Sequence, residues 1–243
     1  MENRSFDLPN PYEKFKTTPI QRKEILYYKH LSKELDKAVP YLKKKWGIQN
    51  NRNDKLTDEI VYTAKSFDEL IYLYKKKPSG DFNYLIHRWF NTQTSKMAET
   101  LFCSYNIVKK EKNFAHKTID FYIMDTPFDL KVSSYPTKFN KTRFQYDSDR
   151  AYRNDLIRWL YENQSKERRK HDSNRLFIIC KHQTGCNSKA NLLLKKDFDQ
   201  IQKKINAYLR YSEKKLHNEG IPFNQVLLNN RKTVFSDIIF INN

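Results

Sequence analysis

Near the middle of the chain, apolar and polar residues alternate in two short segments. In the first, residues 119–124, Ile119, Phe121 and Ile123 fall on one face and Asp120 falls on the other. Strict alternation is typical of a half-buried β-strand, because successive side chains point to opposite faces of the sheet. The segment is therefore predicted to be a strand that carries Asp120 on its polar face.

The second alternating segment repeats this pattern a few residues later. Its apolar face consists of Phe128, Leu130 and Val132, and its polar face consists of Asp129, Lys131 and Ser133. Residues 125–127, Asp-Thr-Pro, predict the turn between the two segments, with Asp125 as a turn-former. Two adjacent strands would bring Asp120, Asp129 and Lys131 together at one edge of a sheet. This arrangement predicts a cation site with an ammonium group beside it.

Helical spacing of apolar residues predicts several helices around this hairpin. The clearest start is Ser66, which is followed three residues later by Glu69 in a capping-box pattern. Pro78 and Gly80 end that helix, and Gly220 lies just past the end of another. The predicted helices cover 22–39, 66–77, 82–105 (as one helix or two), 149–163 and 191–217, and residues 48–56 are predicted to form a loop.

A continuous apolar run at residues 176–180 and the mostly apolar segment 234–241 predict buried strands. The order helix, hairpin, helix, strand, helix, strand indicates an α/β fold with a mixed central sheet flanked by helices. The break at residues 78–80 is the predicted domain boundary. We therefore expect an extended arm (1–20), a mostly helical N-terminal extension (21–80) and an α/β core (81–243).

The chain is strongly basic. Its 46 Lys and Arg residues against 28 Asp and Glu residues give a formal net charge of +18. A charge of this size attracts polyanions, so nucleic acid is the predicted partner. A lysine-rich composition with a solvated basic surface is the alternative explanation.

Basic and aromatic residues are interleaved after the predicted hairpin, which suits phosphate neutralisation and base stacking. A solvated loop with a few packed aromatic residues explains the same pattern. The predicted nucleic-acid-binding residues are Lys96, Ser133, Lys138, Lys141, Arg143, Arg150 and Arg153.

The cysteine content and hydropathy bear on the compartment. Three cysteines are an odd and sparse set, which favours a reducing interior over a disulfide scaffold. The first residues carry no apolar run of the signal-peptide type, and no segment approaches the ~20 apolar residues of a membrane helix. A cytoplasmic protein without membrane contact is expected.

In order along the chain, Glu99 in a helical pattern, Asp120 on a strand and the Asp129-x-Lys131 pair on the next strand resemble the PD-(D/E)xK nuclease superfamily. The proline that often precedes the first aspartate in that family is replaced by Ile119. The resemblance covers roughly residues 81–180. It implies a restriction-endonuclease-like core for the predicted α/β domain.

The resemblance also implies a chemistry. Carboxylates are natural ligands of Mg²⁺, so Asp120, Asp129 and Glu99 would hold Mg²⁺ (or Mn²⁺ as a substitute), together with the Leu130 carbonyl. Lys131 would orient the attacking water and stabilise charge in the transition state. The expected activity is that of a metal-dependent endonuclease of the restriction or mobile-element/repair type, which hydrolyses phosphodiester bonds in DNA. A homodimer would supply two sites for double-strand cleavage.

Other functions are compatible with the same sequence. One is a non-catalytic nucleic-acid-binding protein on the same fold, and another is a basic RNA-binding protein in which the Asp-x-Lys triplet is accidental. Glu99 could also be an ordinary surface glutamate. A zinc site at Cys180, His182 and Cys186 is a weaker alternative, because structural zinc sites use four ligands.

Overall fold

The computed structural model describes residues 16–19, 23–43, 50–113, 116, 118–139, 149–163, 172–182 and 188–242. These residues form an α/β structure with seven α-helices and six β-strands. The helices are α1 (Lys23–Ala38), α2 (Asn51–Thr63), α3 (Phe67–Lys76), α4 (Phe82–Phe102), α5 (Arg150–Asn163), α6 (Ser188–Leu193) and α7 (Phe198–Glu219). The strands are β1 (Val108–Lys110), β2 (Phe121–Ile123), β3 (Thr126–Ser134), β4 (Arg175–Lys181), β5 (Gln225–Leu227) and β6 (Thr233–Asn242).

The six strands form one mixed sheet in the order β1-β2-β3-β4-β6-β5. Strands β3, β4 and β6 are parallel and occupy the centre, while β1, β2 and β5 pair antiparallel at the two sides. Parallel strands need crossover connections that cover the faces of the sheet. Here α5 lies in the crossover from β3 to β4, and α6 and α7 lie in the crossover from β4 to β6.

Two hydrophobic clusters cover the two faces of this sheet. Leu130, Leu176 and Ile239 belong to the larger cluster, which includes buried residues of α1 to α4 and α7. Phe177 and Ile238 belong to the smaller cluster, which includes the buried side of α5. Because neighbouring strand residues point to opposite faces, β4 and β6 each contribute to both clusters, whereas Phe128 and Leu130 of β3 belong to the larger cluster. Strands β4 and β6 are therefore buried on both sides, as their apolar residues predict.

Local capping signals set several helix ends. Ser66 accepts a hydrogen bond from the Glu69 amide, and the Glu69 carboxylate accepts one from the Lys65 amide. At the other end of the molecule, Gly220 adopts a left-handed conformation with φ of +72° at the C-terminus of α7. Such a conformation is readily adopted by glycine, which has no Cβ to clash. The predicted capping box and the predicted helix end are both confirmed.

Two predicted elements are wrong, and two strands were missed. Within the predicted loop 48–56, residues 51–56 instead form the start of α2, because the Asn50 side chain accepts a hydrogen bond from the Asn53 amide and caps the helix. The single predicted helix over 191–217 is interrupted by a short 3₁₀ turn, and α7 starts anew at Asp197, which caps it. The missed strands β1 and β5 have three residues each, too short for an alternation to be visible.

The proposed division at residues 78–80 coincides with the break between α3 and α4. Of the predicted N-terminal arm, the part described is residues 16–19, where Pro19 forms a β-bridge with Tyr105. None of the described helices is both long enough and apolar enough to cross a membrane.

Candidate active site at the fork between two strands

Strands β2 and β3 separate at the position of Asp120, and this point is called the fork below. Their pairing runs from Ile123 opposite Thr126 to Phe121 opposite Phe128. Asp120 stands just before β2, and its backbone amide donates to the Phe128 carbonyl at 2.8 Å. Its carboxylate oxygen Oδ2 accepts from the Leu130 amide at 2.6 Å. The Asp120 side chain thus takes the place of a backbone partner where the ladder ends.

Asp129 lies between Phe128 and Leu130 on β3 and is almost fully buried, with 3% of its surface exposed. The Lys131 ammonium contacts its Oδ1 at 2.7 Å, and the Arg175 guanidinium contacts its Oδ2 at 2.8 Å. Arg175 is itself buried, and its guanidinium lies over the Tyr161 ring at 5.1 Å from the ring centre. Both oxygens of Asp129 are therefore engaged by cations of the chain.

The register of the sheet explains why Arg175 reaches Asp129. The two residues are opposite each other in the parallel β3–β4 pair. Residues opposite each other in a parallel pair point to the same face, so the two side chains lie side by side. Sequence reasoning missed Arg175. Its signal was the presence of a charged residue directly before the apolar run 176–180.

The Asp120 carboxyl has a perturbed affinity for protons. The pKa of Asp120 is raised to about 6, mainly by burial; the Asp129 and Glu99 carboxylates contribute to the rise, and the Leu130 amide and Lys131 oppose it. Burial and like charges both disfavour the ionised form. A cation bound beside Asp120 would stabilise its ionised form.

Glu99 lies in the last turn of α4, within electrostatic reach of Asp120. Its Oε1 forms an ion pair with the Lys110 ammonium of β1 at 2.9 Å. Burial lowers the pKa of the nearby Lys96, with Glu99 opposing this effect and Lys110 adding to it. Glu99 is thus oriented toward the β1 side of the fork and is not a solitary surface glutamate.

The residues of the fork fit a divalent cation in part. Among the described residues, no group of three or more His, Cys, Asp or Glu side chains is arranged to hold a metal ion. Asp129 is engaged by two cations, so the carboxylates best suited to a metal are Asp120 and, at the edge of the fork, Glu99. Because the Leu130 amide points to Asp120, its carbonyl lies on the same side of β3, past the last pair with β2. Carboxylate and carbonyl oxygens are the ligands that Mg²⁺ prefers.

The predicted nucleic-acid-binding residues fall into different environments. Lys138 and Arg150 are exposed, whereas the Lys96 ammonium lies over the Tyr62 ring at 5.4 Å. Arg153 forms an ion pair with Asp237 at 2.6 Å, so this side chain also fastens α5 to β6.

The remaining members of that set are less informative. Ser133 donates a hydrogen bond to the neighbouring Ser134 carbonyl at 3.1 Å. Lys141 and Arg143 lie outside the described residues. The alternative zinc constellation also includes an undescribed residue, Cys186, while burial raises the pKa of the Cys180 thiol to about 12.

Comparison with known proteins provides no assignment: no family model, no curated protein and no solved structure matches this chain.

Proposed function

We propose that the chain is a metal-dependent nuclease of the restriction-endonuclease-like type that hydrolyses phosphodiester bonds in DNA. The observation that supports this function best is the fork itself. It combines the partly exposed Asp120 carboxylate with Glu99, Asp129 and Lys131 at the end of a β-ladder. The positive net charge of +18 supports a polyanionic substrate.

Each group of the fork has a role in this proposal. A bound Mg²⁺ or Mn²⁺ would polarise the scissile phosphate and lower the pKa of a bound water. Asp120, Glu99 and the Leu130 carbonyl would hold the cation. Lys131, 40% of whose side chain is exposed, presents an ammonium group that can stabilise negative charge on the phosphate. Asp129 holds that ammonium in place.

A non-catalytic nucleic-acid-binding protein is the second candidate, and a specific observation favours it. Lys131 and Arg175 both neutralise Asp129, which in a two-carboxylate metal site would be free to bind the cation. If this pairing persists with metal present, one of the expected ligands is lost. The fork would then offer the partly exposed Lys131 ammonium as one phosphate contact of a binding surface, without catalysis.

The deciding experiment is a plasmid-cleavage assay with Mg²⁺ and then Mn²⁺, using the unmodified chain and two variants. Lys131→Met and Asp120→Asn are each expected to lower the cleavage rate at least about a hundredfold, as for the loss of a group that stabilises the transition state. Lys109→Met is the matched control, because Lys109 of β1 forms an exposed ion pair with Asp125 in the turn between β2 and β3. Its rate should stay within about twofold of the unmodified chain.

The outcomes separate the candidates. Binding of DNA without cleavage under either metal, with weaker affinity in Lys131→Met, would support the binding protein and contradict the nuclease. Salt-sensitive binding that prefers structured RNA to DNA would contradict DNA as the substrate. Sedimentation of the protein with and without DNA tests whether a pair of sites forms by dimerisation.

A further inference from the structure

A polar cavity with a volume of about 350 Å³ lies at the C-terminal end of β3, whereas the fork is at the middle of this strand. It is enclosed by α4, by the C-terminal end of β3 and by the segment 188–196. Residues that line it and bear on the argument are Lys43, His87, Asn91, Ser134, Lys189 and Lys195. None of the described residues that line it is acidic. We call it the Lys195 pocket.

Lys195 is the unusual group of this pocket, because only 7% of its surface is exposed. Its ammonium donates to the Asn91 side-chain oxygen at 2.7 Å, a neutral partner. Within the described part of the chain, no carboxylate lies at ion-pair distance from it. Buried lysines are rare unless they are paired with a negative charge.

Burial lowers the pKa of Lys195 to about 8. The adjoining groups do not compensate its charge. His87 is buried, and burial lowers its pKa to about 4, so the imidazole is neutral near pH 7. Lys43 and Lys189 are exposed lining residues and add further positive charge. The pocket therefore combines a desolvated cation with hydrogen-bonding groups and lacks a negative charge among its described residues.

We propose that the Lys195 pocket binds a phosphoryl group, with Lys195 as its principal cation and the Asn91 amide and Ser134 beside it. A phosphate supplies the missing negative charge and several acceptor oxygens, and an ion pair with phosphate is stronger than the hydrogen bond that the Lys195 ammonium now makes to a neutral amide. A lysine acts on phosphate as a compact point charge, which suits a pocket of this size.

This pocket is distinct from the fork. Lys131 of the fork and Ser134 of the pocket are three residues apart on one strand, which corresponds to about 10 Å at ~3.3 Å per residue, and they point to opposite faces of the sheet. Its ligand has two possible sources with the same chemistry, a small phosphate compound or a phosphodiester of a nucleic-acid strand that extends past the fork. The proposal does not depend on catalysis at the fork.

The test is a calorimetric titration without divalent metal, with three probes: inorganic phosphate, a nucleoside 5′-monophosphate and a twelve-nucleotide single strand. Asn91→Asp is the decisive variant, because it places a carboxylate where Lys195 already has its partner. Lys203→Gln on the exposed side of α7 is the matched control, since it changes the net charge by the same one unit. Lys195→Met is a second variant that removes the cation itself.

Asn91→Asp is expected to weaken binding of at least one probe by about tenfold or more, the equivalent of one charge-assisted hydrogen bond. Lys203→Gln should leave that affinity within about twofold. Weakened binding of phosphate and monophosphate identifies a small ligand, whereas an effect confined to the oligonucleotide identifies a strand phosphate.

Equal affinities for the unmodified chain and Asn91→Asp, or no measurable binding of any probe, would overturn the proposal. Circular dichroism confirms that each variant is folded before titration. Repeating the titrations in the Lys131→Met background separates this site from the fork. Binding that persists there but is lost in Asn91→Asp supports the pocket even if the chain cleaves no DNA.

Discussion

The fork, at the middle of β3, and the Lys195 pocket, at its C-terminal end, present opposite solutions to the same electrostatic problem. At the fork, the buried Asp129 carboxylate is matched by two cations of the chain, Lys131 and Arg175. In the Lys195 pocket, a buried ammonium faces the neutral Asn91 amide. Burial is costly for any charge, and a partner of the opposite sign offsets that cost. The comparison indicates that the fork is largely balanced within the chain, whereas the described residues that line the pocket include no carboxylate to offset Lys195.

The pKa values of Asp120 in the fork and Lys195 in the pocket are shifted in opposite directions by the same cause. Burial raises the pKa of the Asp120 carboxyl to about 6 and lowers the pKa of the Lys195 ammonium to about 8. In both cases the charged form is disfavoured by the loss of water. Asp120 is the unbalanced member of the fork, as Lys195 is of the pocket. A cation at the first and an anion at the second would each restore the charged form.

Removing the balance at the fork should have the largest effect on stability. Arg175→Met leaves the buried Asp129 with one cation, and we expect the free energy of unfolding to fall by about 3–5 kcal/mol. Urea denaturation measures this change. Arg158→Met is the control, because Arg158 pairs with Asp155 at a partly exposed position and should cost less than about 1 kcal/mol.

A second substitution tests whether the loss comes from the unpaired charge. Adding Asp129→Leu to Arg175→Met removes the carboxylate, so most of the lost stability should return. If the double variant is as unstable as the single one, lost packing of the arginine is the cause and the electrostatic explanation of the fork is wrong.

Neutralising Asp120 should stabilise the protein by a smaller amount. Asp120→Asn keeps an acceptor for the Leu130 amide and removes a disfavoured charge, so we expect a gain of about 2 kcal/mol at pH 7. Between pH 3.8 and about 6 the folded chain retains the Asp120 proton while the unfolded chain releases it, so stability falls as pH rises through this window.

Thermal unfolding across that pH range should show this contribution in the unmodified chain and its absence in Asp120→Asn. Added Mg²⁺ is expected to raise the melting temperature of the unmodified chain at pH 7 but not that of the variant, because binding to the folded state stabilises it. An equal response of both proteins to Mg²⁺ would place the cation elsewhere.

In the Lys195 pocket, adding a negative charge beside Lys195 should stabilise the folded chain. Asn91→Asp offers Lys195 a carboxylate, and we expect a gain of about 1 kcal/mol at neutral pH. In the unmodified chain, stability from this lysine should rise as pH increases from about 8 to 10.5, because there the unfolded state binds the proton that the folded state has lost. Comparing the pH dependence of unfolding in the two proteins isolates this effect. An unchanged difference between them from pH 7 to 10.5 would contradict it.

The smallest change in stability is expected at the edge of the fork. Glu99→Gln removes an ion pair with the half-exposed Lys110, which should cost less than about 1 kcal/mol. The same variant should lower cleavage about tenfold or more if Glu99 holds the metal. The free energy of unfolding and the cleavage rate should both be measured for this variant. If Glu99 only forms a structural ion pair, neither quantity will change by much; if Glu99 is a metal ligand, the cleavage rate will fall.

The elements predicted correctly depend on local patterns. Alternation predicts β3, and Ser66 with Glu69 predicts the start of α3, because these signals act within a few residues. The start of α2 does not follow from the pattern although Asn50 is a strong capping residue, because the polar composition of residues 48–56 favours a loop. The break before α7 was missed because apolar spacing continues across Asp197.

The candidate site shows the same division. The sequence by itself determined that Asp120, Asp129 and Lys131 share the polar faces of two neighbouring strands, because side-chain alternation is a property of the backbone. The tertiary structure decided that Arg175, from a strand 46 residues away, neutralises Asp129 and that Lys195 faces Asn91 in a pocket without a carboxylate among its described residues. Those pairings depend on strand register and helix packing over long sequence separations. No local sequence pattern specifies which charged side chains will pair. These pairings determine what the fork and the Lys195 pocket can bind.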